Sequence, residues 1–189
     1  MFTPAPTPAD LHAHATFMAL MWAFSYPGRP HHLPTLPAAP SAMLTIGEAL
    51  IDLETSFFTP DADLERLLLR TGARRRTADL AMYQFFPQLE PADLDFVRQA
   101  PIGSLRDPDQ AATLIIGCQF GQGASFELRG PGIQQASTLQ VAGLPRRFWQ
   151  IRAQQRYPLG WDVLLVDHTV VIGLPRTTRV RELDESEVR

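Results

Sequence analysis

Lysine is absent from this chain of 189 residues, and all 17 of its basic residues are arginine. A chain without lysine cannot form a Schiff base on a side-chain amine, and it has no lysine for a phosphate-binding loop. These absences exclude enzymes that bind pyridoxal phosphate through lysine and the ordinary phosphate-loop ATPases. The formal net charge of −3 gives no general basicity, so nucleic acid is not a predicted partner.

Cysteine is also scarce, because Cys118 stands alone and an intrachain disulfide is excluded. It lies in the apolar run LIIGCQF, where a free cysteine usually behaves as a small hydrophobic residue. No apolar run approaches the length of a transmembrane helix, and the first ten residues lack the basic region of a secretory signal. We therefore expect a cytoplasmic protein that does not bind a membrane.

The histidines do not form a metal-binding pattern. His12 and His14 are two positions apart and do not share a helical face, while His31 and His32 lie in a proline-rich connector. Neither pair has cysteine or carboxylate partners at a defined spacing, so the sequence predicts no metal site.

The residues that are present indicate one α/β domain over residues 10–189, preceded by a flexible tail over residues 1–9. Helices interspersed with strands favour three layers, in which a mixed β-sheet has helices on both faces. Periodicity predicts helices over residues 11–24, 42–53, 60–70, 90–99 and 145–155, and strands over residues 55–59, 79–86, 112–120, 125–128, 163–166 and 170–174.

The first helix is predicted to begin at Leu11, with Asp10 as its cap, and to stop at Ser25–Gly28. Its apolar residues recur at helical spacing, which predicts a face buried in the core. An exposed apolar strip that contacts another protein explains the same spacing equally well. The residues concerned are Leu11, Ala15, Met18, Met21 and Trp22.

Two glycine-containing loops are candidates for phosphate binding. Gly121-Gln122-Gly123 resembles part of a dinucleotide fingerprint, but it joins two predicted strands and does not open a helix, so we predict a tight hairpin. Gly130-Pro131-Gly132 forms an abrupt loop that exposes backbone N–H groups. Such loops bind anions in some proteins and are plain turns in most.

The apolar runs Val163–Val166 and Val170–Leu174 predict a buried hairpin. With Asp167-His168 as a two-residue loop, Asp162 faces Gly173. The polar ends of the two strands then form a rim made of Asp162, Arg176, Thr177 and Thr178. The favoured interpretation is an ion pair that holds the strand ends together, and the alternative is that Arg176 grips a phosphate or phosphonate bidentately.

Four stretches of this sequence resemble the PhnH family of bacterial carbon–phosphorus lyase subunits. They are FMALMWAFSYPG, GSLRDPDQAATLI, LRGPGI and, most specifically, YPLGWDVLLVD with GLPRTTRV. The stretches occur in the family's order across nearly the whole chain. Trp161 departs from the pattern, because it is bulkier than the aliphatic residue usual at that position.

The resemblance implies a fold like the large domain of pyridoxal-dependent transferases, without the cofactor. It also implies partners, namely PhnG, PhnI and PhnJ, and a homodimer when the subunit is alone. Together these subunits convert ATP and an alkylphosphonate to a ribose alkylphosphonate triphosphate, which PhnJ cleaves by radical chemistry. No catalytic step is assigned to PhnH itself, and no cofactor is implied for it.

The residues suggest the same non-catalytic role. We find no Ser-His-Asp order and no paired carboxylates on one helical face, so no catalytic residue is predicted. We therefore interpret the chain as an accessory subunit needed for organophosphonate breakdown. The alternatives are a free-standing enzyme that uses a phosphonate or nucleotide, which needs a deep pocket with titratable groups, and a regulatory protein that binds a small molecule alone.

Overall fold

The computed structural model describes residues 5–34, 41–184 and 187. The strands within these residues are β1 His31–His32, β2 Ser56–Phe58, β3 Arg74–Arg75, β4 Tyr83–Phe86, β5 Thr113–Gly117, β6 Gln119–Arg129, β7 Ser137–Ala142, β8 Asp162–Asp167, β9 Val170–Leu174 and β10 Arg179–Glu182. The helices are α1 Pro8–Ser25, α2 Ala42–Leu50, α3 Ala62–Leu68, α4 Leu94–Gln99 and α5 Arg146–Ala153. Single 3-10 turns cover Leu69–Thr71, Pro91–Asp93 and Pro108–Gln110.

The main sheet has seven strands in the order β1-β9-β8-β5-β4-β2-β3. Its central pairs, β2 with β4, β4 with β5 and β5 with β8, are parallel, while β8 with β9 and β9 with β1 are antiparallel. The predicted mixed sheet of an α/β protein is thereby confirmed. The edge strands β1 and β3 were not predicted, because two residues are too few to show a periodicity.

The side chains of the main sheet pack into two separate hydrophobic cores, because successive residues along a strand point to opposite faces of the sheet. Phe57, Phe85 and Leu164 pack with α1, α2 and α3 on one face. Phe58 and Phe86 pack with α4, α5 and a second sheet on the other. Helices on both faces were predicted, whereas the second sheet was not.

The second sheet has three antiparallel strands in the order β10-β6-β7. The hairpin predicted between residues 112–120 and 125–128 is wrong, because β6 pairs with β7 and β10 and does not pair with β5. The two strands are separated at Cys118, whose N–H donates to Val166 O at 2.9 Å. Gly121-Gln122-Gly123 lies inside β6 as a bulge, and both glycines have positive φ. The glycines therefore bend one strand and do not connect two.

Helix α1 begins earlier than predicted, because Thr7 is the cap and Asp10 completes a capping box with it. Pro8 and Ala9, predicted as tail, are helical, and Met1–Pro4 lie outside the described residues. The helix stops after Ser25, as predicted. Within the described part of the chain, no helix is both long and apolar enough to cross a membrane.

The buried face of α1 differs from the predicted one. Its buried residues are Thr16, Ala19, Leu20 and Ala23, while Leu11, Phe17, Met21 and Trp22 are exposed. The small residues face the main sheet because the helix lies very close to β9. A Cβ added to Gly173 would come within 2.5 Å of Ala23 O. The close approach of the two backbones allows only small side chains at the contact, so the large apolar residues of α1 lie on the exposed side.

Candidate functional site

The turn Pro175–Thr178 joins the main sheet to the second sheet. It follows β9 and leads into β10, and the Thr178 N–H closes it by donating to Pro175 O at 2.8 Å. Thr178 is buried and Thr177 is half-buried. The four residues that the sequence analysis placed on a rim thus lie at or beside a crossing between sheets.

Asp162 and Arg176 form an ion pair at this turn. Arg176 Nη2 lies 2.6 Å from Asp162 Oδ2, and the Arg176 backbone N–H donates to Asp162 Oδ1 at 2.8 Å. Arg176 Nη1 donates to Pro108 O. With side chains 15% and 27% exposed, the pair is partly shielded from water. Every guanidinium nitrogen of Arg176 has a protein partner, which is the geometry of a bond that holds the fold together.

The predicted register of the hairpin between β8 and β9 was wrong, because the two-residue loop lies one position later in the chain than predicted. Asp167 pairs with Val170 and Val163 pairs with Leu174, so the loop is His168-Thr169 and Asp162 no longer faces Gly173. His168 has a φ of 51°, which a tight two-residue turn requires. Asp167 stays in the strand because its carboxylate accepts the Phe120 N–H at 2.9 Å.

Arg152 of α5 holds the same turn from beneath. Its Nη1 donates to Thr178 O at 3.0 Å, and its Nη2 donates to Leu174 O and Pro175 O at 3.1 and 2.8 Å. The residue is only 7% exposed, and this burial lowers the pKa of Arg152 to about 10. Arg152 therefore remains charged near neutral pH. Arg152 lies in the helix predicted over residues 145–155, but no local pattern in the sequence indicates its contacts.

The loop Gly130-Pro131-Gly132 lies beside the turn. A Cβ added to Gly130, whose φ is 151°, would come within 2.9 Å of Thr177 O. Gly132 has a φ of 81°, and a Cβ there would meet Ser25 O at 2.7 Å. The end of α1, the glycine loop and the turn therefore meet in space, although long stretches of sequence separate them.

The glycine loop, the turn and the C-terminal part of α5 line a cleft of about 900 Å³. The Gly130-Pro131 backbone and Thr177 form part of its wall, together with aromatic side chains from α5 and from the loop before β8. Five arginines line it, and no aspartate or glutamate of the described residues does; they are Arg129, Arg152, Arg156, Arg176 and Arg179. A surface of one sign in a concave site attracts anions.

The histidines are not part of this site. His31 and His32 form β1 at the edge of the main sheet, and partial burial lowers the pKa of His31. In the ranges that the structure describes, no group of three or more histidine, cysteine, aspartate or glutamate side chains is arranged to hold a metal.

Comparison with known proteins gives the family of this chain. Residues 7–181 match the family described as "Bacterial phosphonate metabolism protein (PhnH)". The chain is 36% identical over 174 residues to a "Putative C-P lyase subunit protein HtxG" of Stutzerimonas stutzeri, with 87% of this chain and 83% of the relative covered.

A second relative is the "Alpha-D-ribose 1-methylphosphonate 5-triphosphate synthase subunit PhnH" of Rhizobium meliloti (strain 1021). The two chains are 29% identical over 184 residues, which cover 89% of this chain and 90% of the relative. This chain belongs to the PhnH family. The resemblance seen in the sequence motifs is thus confirmed over nearly the whole chain.

Proposed function

We propose that this chain is a non-catalytic accessory subunit of a carbon–phosphorus lyase system, required in the cytoplasm for organophosphonate breakdown. The observation that carries this proposal is the family match over residues 7–181, together with relatives whose names are those of lyase and synthase subunits. Its partners are PhnG, PhnI and PhnJ chains. With them it takes part in forming a ribose alkylphosphonate triphosphate from ATP and an alkylphosphonate.

The chemistry of the cleft supports an accessory role. Its titratable lining consists of arginines and the exposed Tyr157, and arginine stays protonated and does not exchange protons near neutral pH. The thiol of Cys118 lies elsewhere, and burial, followed by the charge of Asp167, raises its pKa to about 12. A thiol with that pKa is almost entirely protonated at neutral pH and is a poor nucleophile.

The exposed side of α1 is a surface suited to assembly. Phe17 is 49% exposed and Trp22 is 41% exposed, and Trp22 stacks on Tyr26 with ring centroids 5.6 Å apart. Large apolar side chains grouped on one exposed helix are typical of an interface. We assign this surface to a different subunit of the complex, and a homodimer through it is the alternative that the experiment separates.

The rim has a structural role in this proposal. Arg176 is fully engaged by Asp162 and Pro108, so we expect it to secure the turn and not to take the substrate. Changing Arg176 to Ala should lower stability while leaving complex assembly and growth on phosphonate intact at low temperature. Loss of phosphonate growth by a variant that is folded and assembled would instead assign Arg176 to binding.

The proposed fold relationship is to the large domain of pyridoxal-dependent transferases. Parallel central strands between helical layers support it, and the lack of lysine means that such a fold here works without the lysine-linked cofactor.

A regulatory ligand-binding protein is the second candidate, because the cleft is large for a structural subunit. Such a protein binds its ligand tightly when no other subunit is present. A free-standing enzyme is less well supported, since no acid–base pair of the described residues lines the cleft.

Co-purification with the neighbouring genes tests the subunit role. The tagged chain should elute in a fixed ratio with PhnG-, PhnI- and PhnJ-like chains. Phe17→Asp or Trp22→Asp should abolish that elution while the chain stays folded. Leu105→Asp is the matched control, because Leu105 is 78% exposed in a loop away from α1. Elution as a homodimer alone, with folded neighbours present, would refute the subunit assignment.

A further inference from the structure

Among the residues that the structure describes, no carboxylate forms an ion pair with three of the arginines in the cleft. Arg129 is paired with Glu127 and Arg176 with Asp162, whereas Arg152, Arg156 and Arg179 form no ion pair with any residue that the structure describes. Concentrated like charges raise the energy of a folded protein unless an opposite charge is present. The cleft therefore has a positive charge that the described part of the protein does not balance.

Two arginines of the cleft, one with a carboxylate partner and one without, lie opposite each other on neighbouring strands. Arg179 of β10 is directly opposite Arg129 of β6, and both line the cleft. Like charges directly opposite on neighbouring strands destabilise a sheet. The carboxylate of Glu127 contacts Arg129 and the next arginine on β10, Arg181, and among the described ion pairs none joins it to Arg179. An anion in the cleft would remove the repulsion that remains at Arg179.

Two buried polar atoms of the lining also lack partners. Arg152 Nε and Thr178 Oγ1 make no hydrogen bond to any described residue, although Arg152 is 7% exposed and Thr178 is 1% exposed. Buried polar groups nearly always have a hydrogen-bond partner in a folded protein. Arg152 and Thr178 both line the cleft, so these two buried groups belong to residues of its wall.

The size of the cleft indicates more than one phosphate group. A volume of about 900 Å³ is at the upper end of the range for small-molecule sites. Trp149 and the exposed ring of Tyr157 add aromatic surface to the charged wall. Three unbalanced guanidinium groups match the charge of a polyphosphate better than the charge of a single phosphate ester.

We propose that the cleft binds the polyphosphate group of a nucleoside or sugar triphosphate, with the exposed Arg156 and Arg179 as its ligands. The buried Arg152 adds its positive charge to the wall of the cleft, and Gly130-Pro131 forms another part of that wall. Arg176 fixes the turn and does not bind the anion, which separates this site from the rim predicted from sequence. The choice of a triphosphate rests on the proposed function, whereas the anion site itself rests on the geometry.

Titration calorimetry on the purified chain tests the site directly. The probes are inorganic tripolyphosphate, ATP without magnesium, and inorganic phosphate. We expect tripolyphosphate and ATP to bind with an affinity that falls as salt is raised, and to bind more tightly than phosphate. Tighter binding of ATP than of tripolyphosphate would assign the aromatic wall to the nucleoside, and equal binding would assign recognition to the phosphates alone.

Arg156→Gln and Arg179→Gln are the informative variants, because both side chains are exposed and their loss leaves the core intact. Each should weaken tripolyphosphate binding by about tenfold, as expected for one charged hydrogen-bonding group. Arg147→Gln is the matched control, since Arg147 is an exposed arginine of α5, the helix that ends shortly before Arg156, and does not line the cleft. It should bind like the unchanged chain.

Two results would overturn the proposal. One is no measurable binding of tripolyphosphate and ATP to the folded chain, and the other is equal weakening by Arg147→Gln and Arg156→Gln, which indicates nonspecific attraction. Binding by a chain that fails to co-purify with lyase subunits would reject the subunit assignment and keep the anion site. Co-purification of a chain that binds no polyphosphate would keep the subunit assignment and reject the anion site.

Discussion

Strand β8 has an aspartate at each end, and the two carboxylates bind different kinds of partner. Asp162 at the start of the strand is bound to the guanidinium and backbone of Arg176, so it links the main sheet to the turn that enters the second sheet. Asp167 at the end accepts one N–H from Phe120 and contacts the exposed His168. The carboxylate at one end of the strand is paired with a guanidinium, and the carboxylate at the other end accepts a backbone N–H from β6 of the second sheet.

The difference shows that position in the sheet, rather than residue type, decides what a charged side chain contributes. Asp162 is at a place where two sheets and a loop meet, so its loss leaves a partly buried cation without its partner. Asp167 is bound by a backbone N–H and by the exposed His168, so its loss leaves no shielded cation without a partner.

The largest expected effect on stability comes from Asp162→Asn. We expect it to lower the free energy of unfolding by about 2 kcal/mol, because Arg176 keeps its charge but loses its carboxylate in a partly buried place. Urea denaturation followed by circular dichroism measures this. The double variant Asp162→Asn with Arg176→Gln should lose less than the sum of the two single changes. Additive losses would show that the pair is not energetically coupled.

Asp167→Asn should have the smaller effect, of below about 1 kcal/mol, since the asparagine oxygen can still accept the Phe120 N–H. The same urea denaturation applies. A loss as large as that of Asp162→Asn would mean that the two ends of β8 are equivalent, and the comparison would fail.

Acid should remove the contribution of Asp167. The hydrogen bond from the Phe120 N–H holds the pKa of Asp167 below its ordinary value of 3.8. A lowered carboxyl pKa stabilises the fold above that ordinary value, and the stabilisation is lost as pH falls through the pKa of the folded state. The difference in unfolding free energy between the unchanged chain and Asp167→Asn should therefore shrink as the solution is acidified below this value. A difference that grows on acidification would contradict this assignment.

The smallest effect concerns Cys118, near the turn end of β8. Burial is the main cause of its raised pKa, and the charge of Asp167 is the next. We expect Cys118 to react slowly with iodoacetamide in the folded chain and rapidly in urea. Asp167→Asn should change the folded rate by less than about tenfold, because the burial remains. If the folded Asp167→Asn variant reacted about as fast as the unfolded chain, the charge of Asp167, and not burial, would be what protects the Cys118 thiol.

The hairpin at β8 and β9 was predictable because apolar runs bounded by polar residues are a local signal. Its register was not, because the hydrogen bond from Phe120 to Asp167 joins residues far apart in sequence. The second sheet was missed because β7 has six residues and β10 has four, too few for a clear periodicity. Their pairing with β6, which lies earlier in the chain, makes them strands.

Part of the candidate site was predictable from the sequence. The glycine loop and the rim were each singled out, but nothing local indicates that Gly130 touches Thr177. Arg152 was hidden entirely, because an arginine in a helix is usually exposed, and its burial depends on three carbonyl groups of the turn after β9. Like the register, this arrangement depends on contacts that only the folded chain contains.

The position of β10 has a consequence for the order in which the protein folds. β10 emerges from synthesis after every other strand and helix that the structure describes, and it pairs with β6, which is synthesised much earlier. Contacts between residues far apart in sequence form slowly, since a long loop must be closed first. One edge of β6 therefore stays open until β10 docks, and Arg179 and Val180 complete the wall of the cleft only at that step.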